Sequence, residues 1–330
     1  MAAMVVVVLG LPTLFAFGPT PKAPFDDEPV RTLSREHPQI VLIGDSMLES
    51  RIDPQILTRL SGQRCSVVSR GGSSSATWYL MMKNLVIVQK HLPQTVIIPY
   101  RNRQLTLPAH RTAGSYRKAL EPFMREAEPL LEKLIAPVGK ETPKTMAGLV
   151  QTIYPMDRRR DMARETMQAW ALDLIASSRE YQGIRSAAKR LFRTQNLRLG
   201  STVDETGEGM LSSLDADDHI FADHVERSFL PHMVAMAREA GIEIIFYKIK
   251  RRPRPDGTQG EESPTMGEYD RALRAYLEQA GVRLYDESHQ DDVVLDFYGS
   301  GDHVAEAMVP RYSELFWRNV GPLVNREAAR

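Results

Sequence analysis

Short apolar runs alternate along the chain with longer stretches whose apolar positions recur every three or four residues, a pattern that predicts a parallel sheet with crossover helices. Ile40-Val41-Leu42-Ile43 reads as a first, fully buried strand. Asp53 followed by Pro54 places an N-cap and a first helical residue, and the helix they open ends near Gly62. Ser66-Val67-Val68-Ser69 is the second strand. Residues 76–91 form a helix whose stripe of Trp78, Met81, Met82 and Leu85 belongs to the core. Val96-Ile97-Ile98-Pro99-Tyr100 is the third strand, with Pro99 near its end, where a ladder donor can be spared. Farther on, the pattern predicts a helix over 224–240 closed by Gly241, a strand over 242–247, a helix over 266–281, a strand over 282–285 and a closing helix over 304–319. The expected fold class is α/β, a flavodoxin-like three-layer α/β/α arrangement around a parallel sheet.

Between the third and fourth strands the pattern changes. Residues 105–222 are helix-like, basic at Arg158-Arg159-Arg160 and Lys189-Arg190, and contain no convincing core strand. They read as a large inserted helical cap, which divides the α/β domain into 38–104 and 223–322. Residues 19–37 read as a Pro-rich linker. Before it, residues 1–18 carry no charge and include Met4-Val5-Val6-Val7-Val8-Leu9, Leu11, Leu14, Phe15 and Phe17. That is near the lower limit of the roughly 17–25 residues a membrane-spanning helix needs. A secretory signal normally has a basic flank before its apolar core, and here the first cation is Lys22. The expectation is an N-terminal membrane anchor or signal, with the domain behind it extracytoplasmic, in the periplasm or outside the cell.

Composition narrows the choice of partners. The 330 residues are 42% hydrophobic and 25% charged, enough for a sizeable core. Lys+Arg and Asp+Glu are equal at 42 each, so no global field recruits nucleic acid, and none is expected as a partner. Cys65 is the only cysteine, which excludes an internal disulfide framework and a cysteine-based zinc site.

The chemistry lies where the predicted strands end. In open α/β sheets ligands bind in the crevice at the carboxyl ends of the strands, and strand one runs straight into Gly44-Asp45-Ser46. A serine hydroxyl is a weak nucleophile until a base takes its proton, so Ser46 requires a histidine that folds back to it. After strand two comes Arg70-Gly71-Gly72-Ser73-Ser74-Ser75, a glycine-rich turn opening a helix, whose backbone N–H groups are candidate oxyanion donors. After strand three comes Tyr100-Arg101-Asn102-Arg103, where a side-chain amide is another candidate donor. Gly301-Asp302-His303 precedes the last helix and places His303 on the same edge of the sheet.

These four blocks resemble the SGNH/GDSL hydrolase superfamily, over residues 38–103 and 224–320. The resemblance implies the SGNH hydrolase version of the three-layer fold, with Ser46 as nucleophile, His303 as base, and an oxyanion site made by Ser46, Gly72 and Asn102. It implies no cofactor and no metal. Two blocks depart from the family pattern. The third reads Tyr-Arg-Asn-Arg where Gly-x-Asn-Asp is usual, and Ser300 stands where an aspartate is expected three residues before the histidine. Three orienting groups for His303 stay open: Asp302, Asp296, or a backbone carbonyl. Loss of an orienting carboxylate lowers a Ser-His-Asp enzyme by about 10⁴, so the choice bears on activity.

Asp45, Arg101 and Arg251 are the candidate substrate contacts. Arg251 belongs to a basic run with Lys248, Lys250, Arg252 and Arg254 that reads either as a solvated loop or as a grip on an anion. Asp217, Asp218, His219, Asp223 and His224 are metal-ligand types, but they precede a helix that favours an acidic first turn, and they read as capping residues. The function expected is a serine esterase or O-acyltransferase acting on acyl, chiefly acetyl, esters of a glycan or on small esters. The resemblance extends to members that work with a membrane-bound O-acyltransferase on exported polysaccharides, which makes such an enzyme the expected partner. Two alternatives stand beside it: a catalytically silent glycan-binding or assembly protein with the same fold, and a generic intracellular lipase or thioesterase.

Overall fold

The computed structural model describes residues 24–112, 115–135, 220–254, 256 and 263–324. The readings made on residues 1–18, on the basic runs at 158–160 and 189–190, and on Asp217, Asp218 and His219 lie outside the described residues. Among the described residues, no helix is long and apolar enough to cross a membrane. The chain divides into two compact units, and the described residues belong to the one built from Lys22–Ala136 and Glu205–Arg330.

In chain order the main elements are α1 (Glu28–Glu36), β1 (Ile40–Gly44), α2 (Ser46–Arg51), α3 (Pro54–Ser61), β2 (Cys65–Ser69), α4 (Ser75–Met81), β3 (Thr95–Tyr100), α5 (Ser115–Leu120), α6 (Pro129–Ile135), α7 (Phe221–His224), α8 (Leu230–Glu239), β4 (Glu243–Lys248), α9 (Pro264–Gln279), β5 (Arg283–Asp286) and α10 (Val309–Val324). All five strands are parallel and run in the order β2-β1-β3-β4-β5. This is the flavodoxin-like order, with its switch point between β1 and β3, so the crevice for a ligand opens between the loop that carries Ser46 and the loop that carries Asn102.

Helices cover both faces, which is why β1 and β3 are buried along their whole length and read as unbroken apolar runs. On one face Val41, Ile43, Val96, Ile98 and Phe246 pack with Leu33, Trp78, Met81, Met82, Leu85, Met233 and Leu273 from α1, α4 with its continuation, α8 and α9. On the other, Ile40, Leu42, Ile97, Ile245 and Tyr247 pack with Leu48, Leu57, Phe316 and Val320 from α2, α3 and α10.

The structure corrects four sequence readings. The presumed linker over 19–37 contains α1, where Pro29 sits in the first turn and Leu33 is buried; Pro is well tolerated there because the first turn's N–H groups have no intrahelical partner. The helix expected over 76–91 stops at Ile87, after a π-helical turn at Met82–Val86. The Gln89 side chain donates to the Leu85 carbonyl (2.7 Å) and to that of Val30 (3.1 Å), drawing the chain off the helical path and onto α1. The helix expected over 224–240 is broken at Ser228, whose hydroxyl donates to the Val225 carbonyl, and α8 begins afresh with Pro231 in its first turn. Residues 105–112 and 115–135 do not stand apart as a cap, because Leu105, Leu120, Phe123 and Leu131 are buried in the first core cluster.

Candidate active site

The turn from β1 into α2 is tight. A Cβ on Gly44 would come within 2.8 Å of the Leu48 Cβ, so only glycine lets the helix begin so soon after the strand. Asp45 is extended, and its Oδ1 accepts from the Met47 N–H at 2.9 Å, capping α2. Ser46, the next residue, stands at the strand's carboxyl end. Its hydroxyl lies 3.1 Å from Nε2 of His303. A histidine 257 positions away in sequence is thus brought to hydrogen-bond distance of the candidate nucleophile.

His303 is held by a tight turn. Tyr298 and Val304 form an antiparallel bridge, the Gly299 N–H donates to the His303 carbonyl at 2.8 Å, and the His303 N–H donates to the Ser300 carbonyl at 3.1 Å. Gly301, inside that turn, has φ +56°, a conformation an L side chain rarely adopts. The Ser300 carbonyl also lies 3.1 Å from His303 Nδ1. With the proton on Nδ1 donated to that carbonyl, Nε2 presents its lone pair to the Ser46 hydroxyl. Burial pushes the His303 pKa below its ordinary value; the Ser300 carbonyl and the Asp45 carboxylate work against this shift, while Arg101 and Arg51 reinforce it. The shift favours the neutral ring, the form a general base requires.

Asp302 does not orient the imidazole. Its Oδ2 pairs with Arg101 Nη1 at 2.7 Å, and its Oδ1 accepts from the Arg252 N–H at 2.9 Å. Adjacent side chains on an extended segment point apart, and here Asp302 turns towards the ends of β3 and β4 while His303 turns towards β1. Burial works to raise the Asp302 pKa, but Arg101, the Arg252 amide, Arg51 and Arg251 together hold it below the ordinary carboxylate value. Asp296 is exposed in the turn Leu295–Phe297. Of the three orienting groups left open by the sequence, the backbone carbonyl is the one found.

The candidate oxyanion residues lie on the two neighbouring loops. Gly71, rather than Gly72, is the glycine beside the nucleophile, since a Cβ built on it would stand 3.9 Å from the Ser46 Cβ. Gly72 has φ +74° and faces the Tyr116 ring, which a Cβ there would approach to 3.1 Å. Ser73 fixes this turn to the nucleophile loop: its hydroxyl donates to the Gly44 carbonyl at 3.1 Å and accepts from Trp78 Nε1 at 3.0 Å. Asn102 directly follows β3, is buried, and has φ +48°.

The three candidate substrate contacts fare differently. Asp45 is buried, spends one oxygen on the α2 cap and faces Arg111 Nη1 across 3.9 Å with the other; it is a structural and electrostatic neighbour of the site instead of a surface offered to substrate. Arg101 is committed to Asp302. Arg251 stays exposed beyond β4. The basic run is not a uniformly solvated loop: Lys248 is buried and paired with Asp270 at 2.6 Å, and Lys250 is buried with Nζ on the Gln290 carbonyl. Among the described residues, no group of three or more His, Cys, Asp or Glu side chains is placed to hold a metal.

Sequence reasoning missed a buried polar network beneath the site. Arg51, the last residue of α2, donates from one Nη2 to the carbonyls of Asp302 (2.8 Å) and Lys250 (3.2 Å), and lies over the rings of Tyr298 and Tyr312 at 5.4 and 5.0 Å. Glu287, fully buried after β5, accepts from the Tyr247 hydroxyl (2.9 Å), the Tyr312 hydroxyl (2.7 Å) and the Lys250 N–H (3.0 Å). The one advance signal is the position of Arg51 a turn and a half of helix beyond Ser46, which is not specific.

No family model matches the sequence, and no curated protein does. Among solved structures, the chain is similar to a GDSL-like lipase from Bacteroides thetaiotaomicron (10% identity over 89% of this chain and 90% of that one, TM-score 0.37) and to a "putative acylhydrolase" from Bacteroides fragilis (9% identity over 90% of this chain and 96% of that one, TM-score 0.39).

Proposed function

We propose that the protein is a serine esterase or O-acyltransferase that works through an acyl-enzyme on Ser46. The observation that carries this is the 3.1 Å approach of the Ser46 hydroxyl to Nε2 of a histidine whose neutral form burial favours. In the first step Nε2 takes the hydroxyl proton as Oγ attacks the ester carbonyl carbon, and the resulting imidazolium is held through Nδ1–H by the Ser300 carbonyl. The tetrahedral oxyanion is received by N–H groups of Ser46 and of the Gly71-Gly72 turn, with the Asn102 amide as the third donor. Collapse expels the alkoxide, which leaves with the proton from His303. An incoming hydroxyl then gives its proton to His303, attacks the acyl-enzyme and restores Ser46.

The finer reading is that the acyl group is acetyl and that the alcohol it leaves or joins belongs to a carbohydrate. Water as the incoming hydroxyl makes the protein an esterase, and a sugar hydroxyl makes it a transferase served by a membrane O-acyltransferase. What supports this reading is the family resemblance of the four sequence blocks together with the uncharged segment 1–18, which fits a membrane-tethered, extracytoplasmic enzyme.

The test is intact-mass spectrometry of the protein after exposure to a fluorophosphonate and to p-nitrophenyl acetate. A single adduct is expected, absent in Ser46→Ala, slowed at least about 10³-fold in His303→Ala, and forming more slowly only at a pH below the ordinary histidine range, because burial lowers the pH at which this imidazole protonates. An unmodified wild-type protein sinks the proposal in favour of a non-catalytic, glycan-binding role.

A further inference from the structure

The residue just before His303 is bound to three other loops, and none of its bonds involves the imidazole. The Asp302 carboxylate takes Arg101 Nη1 from the end of β3 at 2.7 Å and the Arg252 N–H from the loop after β4 at 2.9 Å. Its carbonyl takes Arg51 Nη2 from the end of the nucleophile's own helix at 2.8 Å. The same Arg51 nitrogen reaches the Lys250 carbonyl, and Arg252 Nη1 reaches the Gly299 carbonyl at 3.3 Å, inside the histidine turn. Asp302 thus ties the turn to the ends of β3, β4 and α2, and Gly299 and Tyr298 add contacts to the loop after β4.

We propose that Asp302 is a positioning residue, which with Arg101 fixes the distance between His303 and Ser46, and that it does not serve as the acid partner of the base. The inference rests on the reading of Ser46 and His303 as nucleophile and base. Physically, the Ser300 carbonyl sets only the rotation of the ring about its own turn. What sets the place of the turn relative to β1 is the clamp of Asp302 between three arginine-bearing segments. Because a misplacement of about 1 Å can cost a catalytic pair on the order of 10²-fold, such a clamp is expected to register in kcat rather than in KM.

A double-mutant cycle separates this role from that of an orienting acid. Asp302→Asn, Arg101→Gln and the double variant are compared for kcat and KM on p-nitrophenyl acetate, with thermal melts to confirm folding, and the His303 imidazole is titrated in each by NMR. If Asp302 is a clamp, each single variant loses about 10- to 100-fold in kcat with little change in KM, and the double variant loses no more than the worse single one. The imidazole then titrates lower in Asp302→Asn, where Arg101 is left uncompensated, and higher in Arg101→Gln. In the double variant it lies at or above the wild-type value, because the lowering by Arg101 is gone.

A loss near 10⁴ in Asp302→Asn, an active Arg101→Gln and an imidazole pKa that stays depressed in the double variant would overturn the proposal and make Asp302 the orienting acid. Arg101→Gln decides the matter by itself if Asp302→Asn does not fold, since a clamp loses rate when Arg101 goes and an orienting acid does not. The titration needs no turnover. If the wild-type protein forms no adduct, the esterase reading fails, and the pattern of imidazole shifts still reports whether Asp302 acts through Arg101.

Discussion

The two faces of the sheet are built differently. The face covered by α1, α4, α8 and α9 is closed mainly by large apolar side chains, with Trp78, Leu80, Met81, Met82 and Leu85 fully buried, and its polar pairs, Lys248 with Asp270 and Arg103 with Thr265, tie β4 and the loop after β3 to α9. The face covered by α2, α3 and α10 starts the same way, with Ile40, Leu42, Ile97 and Ile245. Near the carboxyl ends of the strands it then gives way to Arg51, Glu287, Tyr247, Tyr298 and Tyr312. Both Ser46 and His303 are held from this second face, the one through α2 and the other through the turn that leads to α10. An apolar contact is non-directional and tolerates small shifts, whereas a buried carboxylate with three donors fixes each donor to a few tenths of an ångström. The first face secures the fold, and the second fixes the distance that the chemistry depends on.

The comparison breaks or sharpens most readily at Glu287. Glu287→Ala strands two tyrosine hydroxyls and the Lys250 N–H and removes the negative charge facing Arg51, and it is expected to cost about 3–5 kcal/mol. Urea unfolding reads that loss, and fluorophosphonate labelling of the protein still folded is expected to slow by about tenfold or more, because the donors anchored by Glu287 adjoin the carbonyls that Arg51 holds. On the opposite face Leu80→Ala is expected to cost about 2–5 kcal/mol through loss of buried surface and the cavity left behind. Its labelling rate per folded molecule should stay within about twofold of wild type, since no bond of the site passes through Leu80. If the two variants slow labelling equally, the faces do not differ in the way described.

The same contrast explains what could be read in the sequence. Face-one side chains and the strands announce themselves by periodicity, and Gly44-Asp45-Ser46 stands out because a strand running directly into a helix leaves few residue choices at the junction. His303 was legible because a serine nucleophile needs a base and Gly301-Asp302-His303 lies at the right edge. Arg51 was not, since an arginine ending a short helix looks like any solvated cation. Glu287, after a four-residue strand, carries no pattern at all. Asp302 stays one of three open candidates in the sequence because adjacency hides direction: only the positions of Arg101 and Arg252 show that its carboxylate points away from the imidazole. The helix α1 was hidden by the prolines around it, although Pro29 falls where a helix accepts one.

The smallest effect asks whether polarity alone, or position, gives the second face its role. Asp53 is a polar anchor on that face whose carboxylate serves α3: its Oδ1 caps that helix by accepting from the Gln55 N–H at 2.8 Å, while its own N–H donates at 3.0 Å to Ser313 Oγ on α10, a hydroxyl that also reaches the Arg51 carbonyl at 3.5 Å. Asp53→Ala removes the cap and leaves the backbone bond to Ser313 in place, so the expected loss is about 1 kcal/mol, typical of an N-cap. Thermal melts read it, and the labelling rate of Ser46 should be unchanged. A labelling rate that falls with Asp53→Ala would mean that strain anywhere among the helices of this face reaches the Ser46–His303 pair. An unchanged rate confines the control of that distance to the residues that bond to the histidine turn, Arg51, Arg101 and Arg252, and to Glu287 beneath them.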